Sequence, residues 1–361
     1  MRELTEENLR NIAMGAAVLG TGGGGNAHMG LLTALQVMKQ GYKFELTEPE
    51  ELEEDLVAVA MFGIGAPTVG VEKIRNGSES IRAMKTLERY LGKKFQAIAP
   101  IEVGGVNSML PLALGAMTGL PVMNLDGMGR AFPEVQMVTY SVYGIEASPM
   151  AVADERGNVN LIDAYSDVWT ERIARATCVV EGGHADALGY VSTVGEFIRT
   201  SVPSTYTLAE RIGNVIRYSR DVWNEVLDTV DGHILFEGKC SDIERKMVAG
   251  FARGSASIEG MGPYKGSEMT ISFQNENLVA LLDGKPVATV PDLITVMDYE
   301  NAKPLTTEVL RYGVRVKVLA IPCHEKWRTP EALRVAGPKA FGYDFEYISC
   351  ERIRAENGAL L

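Results

Sequence analysis

The sequence lacks the clusters of Lys and Arg that a surface for nucleic acid or anionic lipid requires. Its 361 residues carry 35 basic and 47 acidic side chains, which gives a formal net charge of -12. Binding to phosphate groups depends on several cationic side chains acting together. We therefore expect neither nucleic acid nor a membrane as a partner. With 46% hydrophobic and 23% charged residues, the composition is typical of a globular protein with a sizeable core.

Long apolar runs and paired cysteines are also absent. The most apolar stretches, residues 57–65 and 109–123, are too short or too interrupted by Gly and Pro to span a bilayer. The first residues are charged and lack the apolar core of a signal peptide. The four cysteines lie far apart with no C-x-x-C pair. We therefore expect reduced thiols and a cytoplasmic protein.

Histidine motifs and nucleophile motifs are scarce. The four histidines show no H-x-H or H-E-x-x-H spacing, so no metal site is visible within a short stretch. No serine lies in a Gly-x-Ser-x-Gly elbow. A metal site assembled from distant residues remains open, and His28 and His184 are then the better histidine candidates. The alternative is that each is an ordinary histidine.

The first 225 residues predict an α/β domain. Helical periodicity predicts helices at residues 5–19, at 27–41 and from residue 78 to 91. Continuous apolar runs at residues 56–64, 96–103 and 120–125 are typical of strands buried on both faces. This alternation predicts a largely parallel sheet in a three-layer sandwich. Residues 137–143, 150–153 and 159–162 are predicted as further strands.

Residues 226–325 predict a smaller, all-β, barrel-like domain. Short apolar runs separated by turn residues fill this stretch, for example residues 243–252, 268–274 and 314–322. The tail, residues 326–361, is predicted to complete the α/β domain. The predicted domains are therefore residues 1–225 with 326–361, and residues 226–325.

The stretch Gly-Thr-Gly-Gly-Gly-Gly-Asn-Ala-His at residues 20–28 is the most unusual one. Because glycine loses the most backbone freedom on folding, such a run indicates a loop whose backbone approaches something closely. It matches a dinucleotide-binding pattern, but helical periodicity precedes it and no Gly-Lys-Ser/Thr follows. A tight helix crossing and a small-molecule site both remain open. The candidate binding residues are Gly22, Gly23, Gly24, Gly25 and Asn26.

A second glycine-rich turn follows a predicted strand, where open α/β sheets bind their ligands. It carries Glu102, Gly104, Gly105 and Asn107. The alternative is ordinary turn chemistry, with Asn107 as a helix cap.

A third turn follows the next predicted strand and carries Asp126, Arg130 and Glu134. Such dense charge can bind a metal, bind an amide or transfer a proton. The alternative is an internal pair that fixes the loop. A polar segment with Asn275 and Glu276 either forms a turn or closes the pocket. We predict Glu102, Asp126, Arg130 and Glu134 as catalytic residues, and Gly104, Gly105, Asn107, Asn275 and Glu276 as substrate-binding residues.

Together these motifs resemble the S-methyl thiohydantoin desulfurase-like family, whose members also occur beside hydantoinase/oxoprolinase-type subunits. The segments that carry the resemblance are residues 19–25, 101–107, 126–134, 275–276, 291–294 and 337–343, in this order. The resemblance covers nearly the whole chain. It implies a three-layer α/β domain with a smaller β-barrel domain.

The resemblance also implies hydrolysis of a small five-membered cyclic thioamide or amide. In the activity that names the family, water attacks the carbon that bears the S-methyl group, methanethiol leaves and a hydantoin remains. Zinc is the implied metal, and its ligands stay unassigned, with His28, His184 and Asp126 as candidates. Many relatives would carry Asp at the position of Asn124. No nicotinamide or flavin cofactor is expected.

In this interpretation Glu102 or Asp126 is the general base or a metal ligand. Arg130 holds the ring carbonyl or a substrate carboxylate, and the glycine amides stabilise a developing anion. The alternative function is a non-catalytic nucleotide- or metabolite-binding partner of a hydantoinase-type subunit. We also expect a homodimer.

Overall fold

The computed structural model describes residues 1–248 and 250–357. Residue 249, in the predicted strand 243–252, and residues 358–361 of the predicted tail lie outside the described residues. The α-helices of the described chain are α1 (Glu6–Leu19), α2 (Ala27–Lys39), α3 (Pro67–Glu72), α4 (Glu79–Leu91), α5 (Leu110–Thr118), α6 (Thr139–Val142), α7 (Asp167–Val180), α8 (Val194–Thr200), α9 (Thr205–Tyr218), α10 (Val222–Val230), α11 (Pro330–Ala336) and α12 (Cys350–Asn357). None of these helices is long and apolar enough to cross a membrane.

The N-terminal strands are β1 (Arg2–Leu4), β2 (Phe44–Thr47), β3 (Val57–Gly65), β4 (Ala97–Pro100), β5 (Val122–Met123), β6 (Leu125–Asp126), β7 (Met150–Ala153), β8 (Val159–Ile162), β9 (His184–Thr193) and β10 (Val202–Pro203). Eight of them form the main sheet in the order β1-β2-β5-β4-β3-β9-β7-β8, and β6 pairs with β10.

The main sheet is mixed, which corrects the predicted largely parallel sheet. Strands β2, β5, β4 and β3 run parallel to one another. The pairs β1–β2, β3–β9, β7–β9 and β7–β8 are antiparallel. The sequence did not predict strand β9, which is antiparallel to both of its neighbours. Its residues include Asp186, Gly189 and Ser192, so it lacks the apolar run by which the parallel strands were found.

The second sheet contains β11 (His233–Val248), β12 (Phe251–Gly260), β13 (Glu268–Gln274), β14 (Glu276–Leu282), β15 (Lys285–Thr289), β16 (Leu293–Asp298) and β17 (Arg315–Ile321). Its order is β15-β14-β13-β12-β11-β17-β16, and every pair is antiparallel. Because β14 and β15 also lie against β16, the sheet curls into a half-barrel. The all-β, barrel-like prediction is thus confirmed at this coarser level, whereas the domain boundaries stay a prediction.

Helix α1 illustrates why the predicted helices form. Thr5 caps it by accepting the Asn8 N–H, and Asn8 in turn accepts the Thr5 N–H, so two otherwise free amide groups are bonded. Its apolar face packs on α9, where Gly15 meets the backbone of Ala209 so closely that any side chain would overlap it. In contrast, residues 137–143 form no strand, because residues 139–142 make the short helix α6.

The strand ends decide where the candidate residues lie. Strands β3, β4 and β5 are parallel, so their carboxyl ends lie at one edge of the sheet. Because β9 runs antiparallel to β3 and pairs His184 with Gly65, its first residue lies at that edge too. Strand β4 already ends at Pro100, so Glu102 lies beyond the strand end.

Candidate functional site

A cleft lies at this edge of the main sheet, against the second sheet. Its cavity has a volume of about 70 Å³ and opens to solvent. Its polar and charged lining comes from several segments, namely Gly24, Gly25, Glu102, Asn107, Glu134, Arg175, His184, Asn275 and Glu276. Phe62, Ile101 and Phe132 contribute to its apolar wall. The three glycine-rich turns therefore meet at one site.

Other predicted site residues do not line this cleft. They are Gly22, Gly23, Asn26, His28, Gly104, Gly105, Asp126 and Arg130.

The glycine loop approaches the second turn closely. A side chain at Gly24 would place its Cβ 2.7 Å from the carbonyl carbon of Gly104, and Gly105 is equally close to Gly25. The Val106 N–H donates to the Gly24 carbonyl at 2.8 Å. Gly24, Gly25 and Gly105 all have positive φ angles, which glycine adopts without strain. The glycines thus serve a crossing of two loops, and only Gly24 and Gly25 of this loop also face the cleft.

Glu276 is the most unusual carboxylate of the cleft. It begins β14 after Asn275, whose φ of 59° turns the chain, and the residue is 2% exposed. Its Oε1 accepts the Gly24 N–H at 3.1 Å, whereas its buried Oε2 has no hydrogen-bond partner in the described chain. Burial raises the pKa of Glu276 to about 8, against the opposing effects of the Gly24 N–H and Arg130. The side chain can therefore hold a proton near neutral pH.

Glu102 is the second buried carboxylate of the cleft, and it is 3% exposed. Its Oε1 accepts from Asn107 Nδ2 at 2.6 Å, and its Oε2 accepts the Phe132 N–H at 3.4 Å. Burial raises the pKa of Glu102 well above its usual range, and the charge of Glu276 raises it further. The two carboxylates are therefore electrostatically coupled.

Asn107 positions Glu102 and does not cap a helix. The alternative that Asn107 is a helix cap is therefore wrong. Helix α5 begins only at Leu110, after a short 3-10 turn at Gly105–Ser108. The Asn107 Oδ1 accepts the Gly63 N–H at 2.8 Å, while its Nδ2 donates to Glu102. It therefore ties Glu102 to the end of β3.

Asp126 is fully buried outside the cleft lining. Its Oδ2 accepts the Val103 N–H at 2.6 Å, and its Oδ1 accepts the N–H groups of Met128 and Gly129 at 3.2 and 2.7 Å. Burial raises its pKa to about 7, and these bonds oppose the rise. The carboxylate holds the second and third turns together, which differs from the predicted direct role in catalysis.

Arg130 is also fully buried outside the cleft lining, and no ion pair includes it in the described chain. Its guanidinium donates to the carbonyl oxygens of Ala131, Pro291, Asp292 and Asn277 and to Thr21 Oγ1. It also lies 4.4 Å from the centre of the Phe132 ring. Burial lowers its pKa to about 10, so it stays charged at neutral pH. These bonds use its N–H groups to join both sheets, and none is left for a ring carbonyl.

Glu134 and Asn275 both line the cleft. Glu134 is half-buried and accepts from Gln136 at 2.6 Å and from Gln274 at 3.3 Å. The Asn275 Oδ1 accepts the Ala252 N–H at 2.9 Å, which anchors the turn before Glu276. Both residues therefore shape the side of the cleft that faces the second sheet.

Arg175 lines the cleft and was not predicted. It lies on α7, pairs with Glu171 at 2.7 Å, donates to the Pro133 carbonyl at 3.0 Å and lies over the Phe251 ring. In the sequence, Glu171 and Arg175 form an i,i+4 pair of the kind that is usually solvated on a helix surface. No local signal separates this pair from an exposed one.

The two candidate histidines differ. His184 lines the cleft, and burial, with Arg75 and Lys73 nearby, holds its pKa well below the usual range, so the imidazole is neutral at pH 7. His28 is exposed on α2 outside the cleft lining. Its N–H donates to Asn26 Oδ1, because Asn26 is the N-cap of α2.

The cleft does not present a converged set of zinc ligands. Among residues 1–248 and 250–357, the one group of three His, Cys, Asp or Glu ligand atoms within 4.8 Å of one another is Asp292, Cys350 and Glu351. Arg328 pairs with Glu351 at 2.7 Å, and burial raises the pKa of the Cys350 thiol, so this group is poorly suited to a cation. Asn124 bonds Glu48 and Thr207 outside the cleft lining. The residues present do not fit the implied zinc, which stays a prediction.

The fold and the cleft define an α/β protein with a second, antiparallel sheet and a cleft between turns that is lined by three glutamates. Within that class, the chain belongs to the S-Me-THD-like family. The family's N-terminal domain matches residues 7–164, and its C-terminal domain matches residues 165–350. The resemblance inferred from the motifs is thereby confirmed.

A solved structure shares the fold. The chain is similar to the X-ray crystal structure of a protein from Chromobacterium violaceum, with a TM-score of 0.79 and 19% sequence identity. The match covers 97% of this chain and 100% of that chain. At this identity the likeness shows the fold alone. No curated protein matches the chain.

Proposed function

We propose that the protein hydrolyses a small five-membered cyclic thioamide or amide, such as an S-methyl thiohydantoin, to a hydantoin. The observation that carries this proposal is the pair of buried, coupled carboxylates, Glu102 and Glu276, which both line the cleft. Membership in the S-Me-THD-like family supports the substrate class.

The pair suits acid–base chemistry because its two pKa values are raised together. Two buried carboxylates that repel each other titrate as a unit, and this pair loses its first proton as the pH rises through the Glu276 pKa of about 8. The charged member then acts as a general base and the protonated member as a general acid. This assignment replaces Asp126 by Glu276 in the predicted pair, since the oxygens of Asp126 are taken up by backbone N–H groups.

The reaction balances with water as the co-reactant. The charged carboxylate takes a proton from water while the water oxygen bonds to the ring carbon that carries the S-methyl group. The carbon–sulfur bond then breaks, and the protonated carboxyl group gives its proton to the departing methanethiolate. The carbon–nitrogen double bond becomes single on attack, and the second water proton moves from oxygen to the ring nitrogen as the carbonyl forms. The first water proton stays on the carboxylate that took it, so the pair is again in its one-proton state. Asn107 is the positioning residue that orients Glu102.

The alternative of a nucleotide-binding partner has no specific observation in its favour. The Gly24 N–H, which a phosphate would need, donates to Glu276. Glu102, Glu134 and Glu276 line the cleft, and each of them that is charged would repel a phosphate. Because the Gly24 N–H donates to Glu276, it is not free to stabilise an anion. Zinc and the homodimer stay predictions, which elemental analysis and light scattering of the purified protein test.

The proposal is tested by methanethiol release from S-methyl thiohydantoin with Glu102→Gln and Glu276→Gln variants. Loss of an acid or base typically costs about 10²- to 10⁴-fold in rate. Because the two residues act as a unit, the double variant should be little slower than either single variant. Glu181→Gln is the matched control, since Glu181 is also buried with an unpartnered Oε2 and a pKa raised to about 7, but lies outside the cleft lining.

The outcomes separate the candidates. Wild-type turnover with unchanged rates in both cleft variants would overturn the catalytic assignment. Absence of turnover, with thermal stabilisation by ATP and none by hydantoins, would favour the nucleotide-binding alternative.

A further inference from the structure

A second cavity continues the cleft outward. This outer groove runs between α2 and residues 73–77, and it has a volume of about 600 Å³. Gly25, Val106 and His184 line both the cleft and the outer groove. A molecule bound in the cleft can therefore extend into the groove between Val106 and His184.

His184 forms part of the border between the two cavities and packs closely against two glycines. A Cβ at Gly63 would lie 3.2 Å from Asn107 Oδ1 and 3.4 Å from His184 Nε2. A Cβ at Gly70 would lie 3.0 Å from the His184 ring. Glycine at both positions therefore lets the imidazole pack directly against the backbone. A substituent that extends into the outer groove passes between His184 and Val106, which line both cavities.

The groove offers apolar surface on both sides. Leu32 on α2 is 46% exposed, and Ile74 on the opposite side is 88% exposed. Met29 and Met117 also line it. An exposed apolar residue on its own needs no explanation, but several that face one cavity continuous with a binding cleft indicate a ligand surface.

The charged residues of the groove are already paired. Lys73 bonds the carbonyl oxygens of Glu181 and His184 at 2.6 Å and pairs with Glu155 at 2.7 Å. Arg75 forms an ion pair with the buried Asp186. An anionic group would have to compete with these partners, so the groove favours an uncharged occupant.

We infer that the outer groove binds an apolar substituent on the saturated ring carbon of the substrate, while the ring itself lies in the cleft. This inference rests on the proposed function and deepens it, because it names the substrate class as rings that carry a large aliphatic or aromatic side group. Leu32 and Ile74 are then specificity residues, and Glu102 and Glu276 are not.

The test compares two S-methyl thiohydantoins, one with hydrogen and one with an isobutyl group on the saturated ring carbon. Because burial of a Leu-sized group is worth roughly 1.5–3 kcal/mol, the wild type should prefer the isobutyl ring by about tenfold or more in kcat/KM. In Leu32→Glu and in Ile74→Ser that preference should fall below about threefold. Val309→Glu is the matched control, since Val309 is likewise 46% exposed and lies outside both cavities.

Calorimetric binding of hydantoin and 5-isobutylhydantoin separates failure of this inference from failure of the proposed function. Tighter binding of the isobutyl ring that Leu32→Glu abolishes supports the groove assignment even where the desulfurisation is absent. An equal wild-type response to both rings, in turnover or in binding, overturns the assignment. So does a preference that Leu32→Glu and Ile74→Ser leave intact.

Discussion

Two buried carboxylates, Asp292 just before β16 and Glu276 at the start of β14, have very different hydrogen-bond partners. Asp292 accepts the N–H groups of Cys323 and Cys350 at 3.0 and 2.7 Å and the Tyr347 hydroxyl at 2.9 Å. Glu276 accepts one N–H group and keeps an unpartnered oxygen. Asp292 is used to fix the C-terminal segment. Glu276 retains a proton-binding oxygen, and it does so at a cleft.

Asp126 and Arg130 belong with Asp292, because their polar atoms are used by the protein itself. Glu102 belongs with Glu276, because burial and mutual repulsion raise its pKa in the cleft. A carboxylate oxygen without a hydrogen-bond partner does not identify a functional site on its own, because Glu181 also has such an oxygen and lies away from the cleft. A raised pKa together with a position in the cleft distinguishes the candidate catalytic carboxylates from the buried charged residues that hold the fold together.

Arg130→Met should cause the largest loss of stability. It would leave the carbonyl groups of Pro291, Asp292 and Asn277 buried without their donor. Since each unsatisfied buried group costs about 1–3 kcal/mol, we expect a loss of roughly 3–5 kcal/mol in the free energy of unfolding. Denaturant titration measures it. Arg10→Met, which removes an exposed i,i+4 pair with Glu6, should cost less than about 0.5 kcal/mol. Equal losses in both variants would refute a clamping role for Arg130.

Glu276→Gln should change the pH dependence of stability. The folded pKa is about 8 against an ordinary 4.5, so between these values folded protein holds a proton that unfolded protein has lost. Wild-type stability therefore falls as the pH rises from 5 to 8. The variant lacks this contribution, and loss of the Glu276 charge also lowers the pKa of Glu102. We expect the variant's stability relative to wild type to improve by on the order of 2–4 kcal/mol between pH 5 and pH 9.

Urea titrations at both pH values measure this difference. Asp126→Asn serves as the contrast, because Asn cannot accept all the N–H bonds of Asp126, so it should lose stability across the range. A Glu276→Gln variant whose stability follows the wild-type curve at every pH would show that Glu276 is not protonated in the folded protein.

Gly23→Ala should weaken turnover as well as stability. Its Cβ would overlap the Glu276 carboxyl group, so the carboxylate must move. We expect a loss of about 1–3 kcal/mol in the free energy of unfolding, which is typical of overpacking. We also expect a roughly 10- to 100-fold loss in kcat, which corresponds to about 1.4–2.7 kcal/mol of lost transition-state stabilisation. Gly195→Ala in α8 is the control, where the closest atom is the Glu54 Cβ at 3.2 Å. Unchanged kcat in a folded Gly23→Ala protein would mean that the position of Glu276 is not critical.

The sequence predicted the parallel strands and the meeting of three glycine-rich turns, because apolar runs and turn residues are local signals. Glu102, Asn107 and Glu134 were placed at one site for this reason, whereas a plain turn remained open for the polar segment with Asn275 and Glu276. The sequence could not show that Asp126 has a structural role and Glu102 a place in the cleft. This difference depends on which backbone N–H groups lie around each carboxylate in the folded protein. Arg175 and β9 were missed because neither has a distinctive local pattern.

The smallest effect on stability is expected for a substitution of Asn26. Comparing Asn26 with Asn107 extends the contrast between structural and cleft residues to neutral side chains. Asn26 and Asn107 both follow glycines, but Asn26 caps α2 whereas Asn107 bonds Glu102. Because a lost N-cap costs about 1 kcal/mol, Asn26→Ala should lower stability by that amount and leave kcat unchanged. Asn107→Ala should instead lower kcat, because Glu102 loses its 2.6 Å donor. Thermal unfolding with steady-state kinetics on both variants decides this, and equal losses of kcat in the two variants would contradict the positioning role of Asn107.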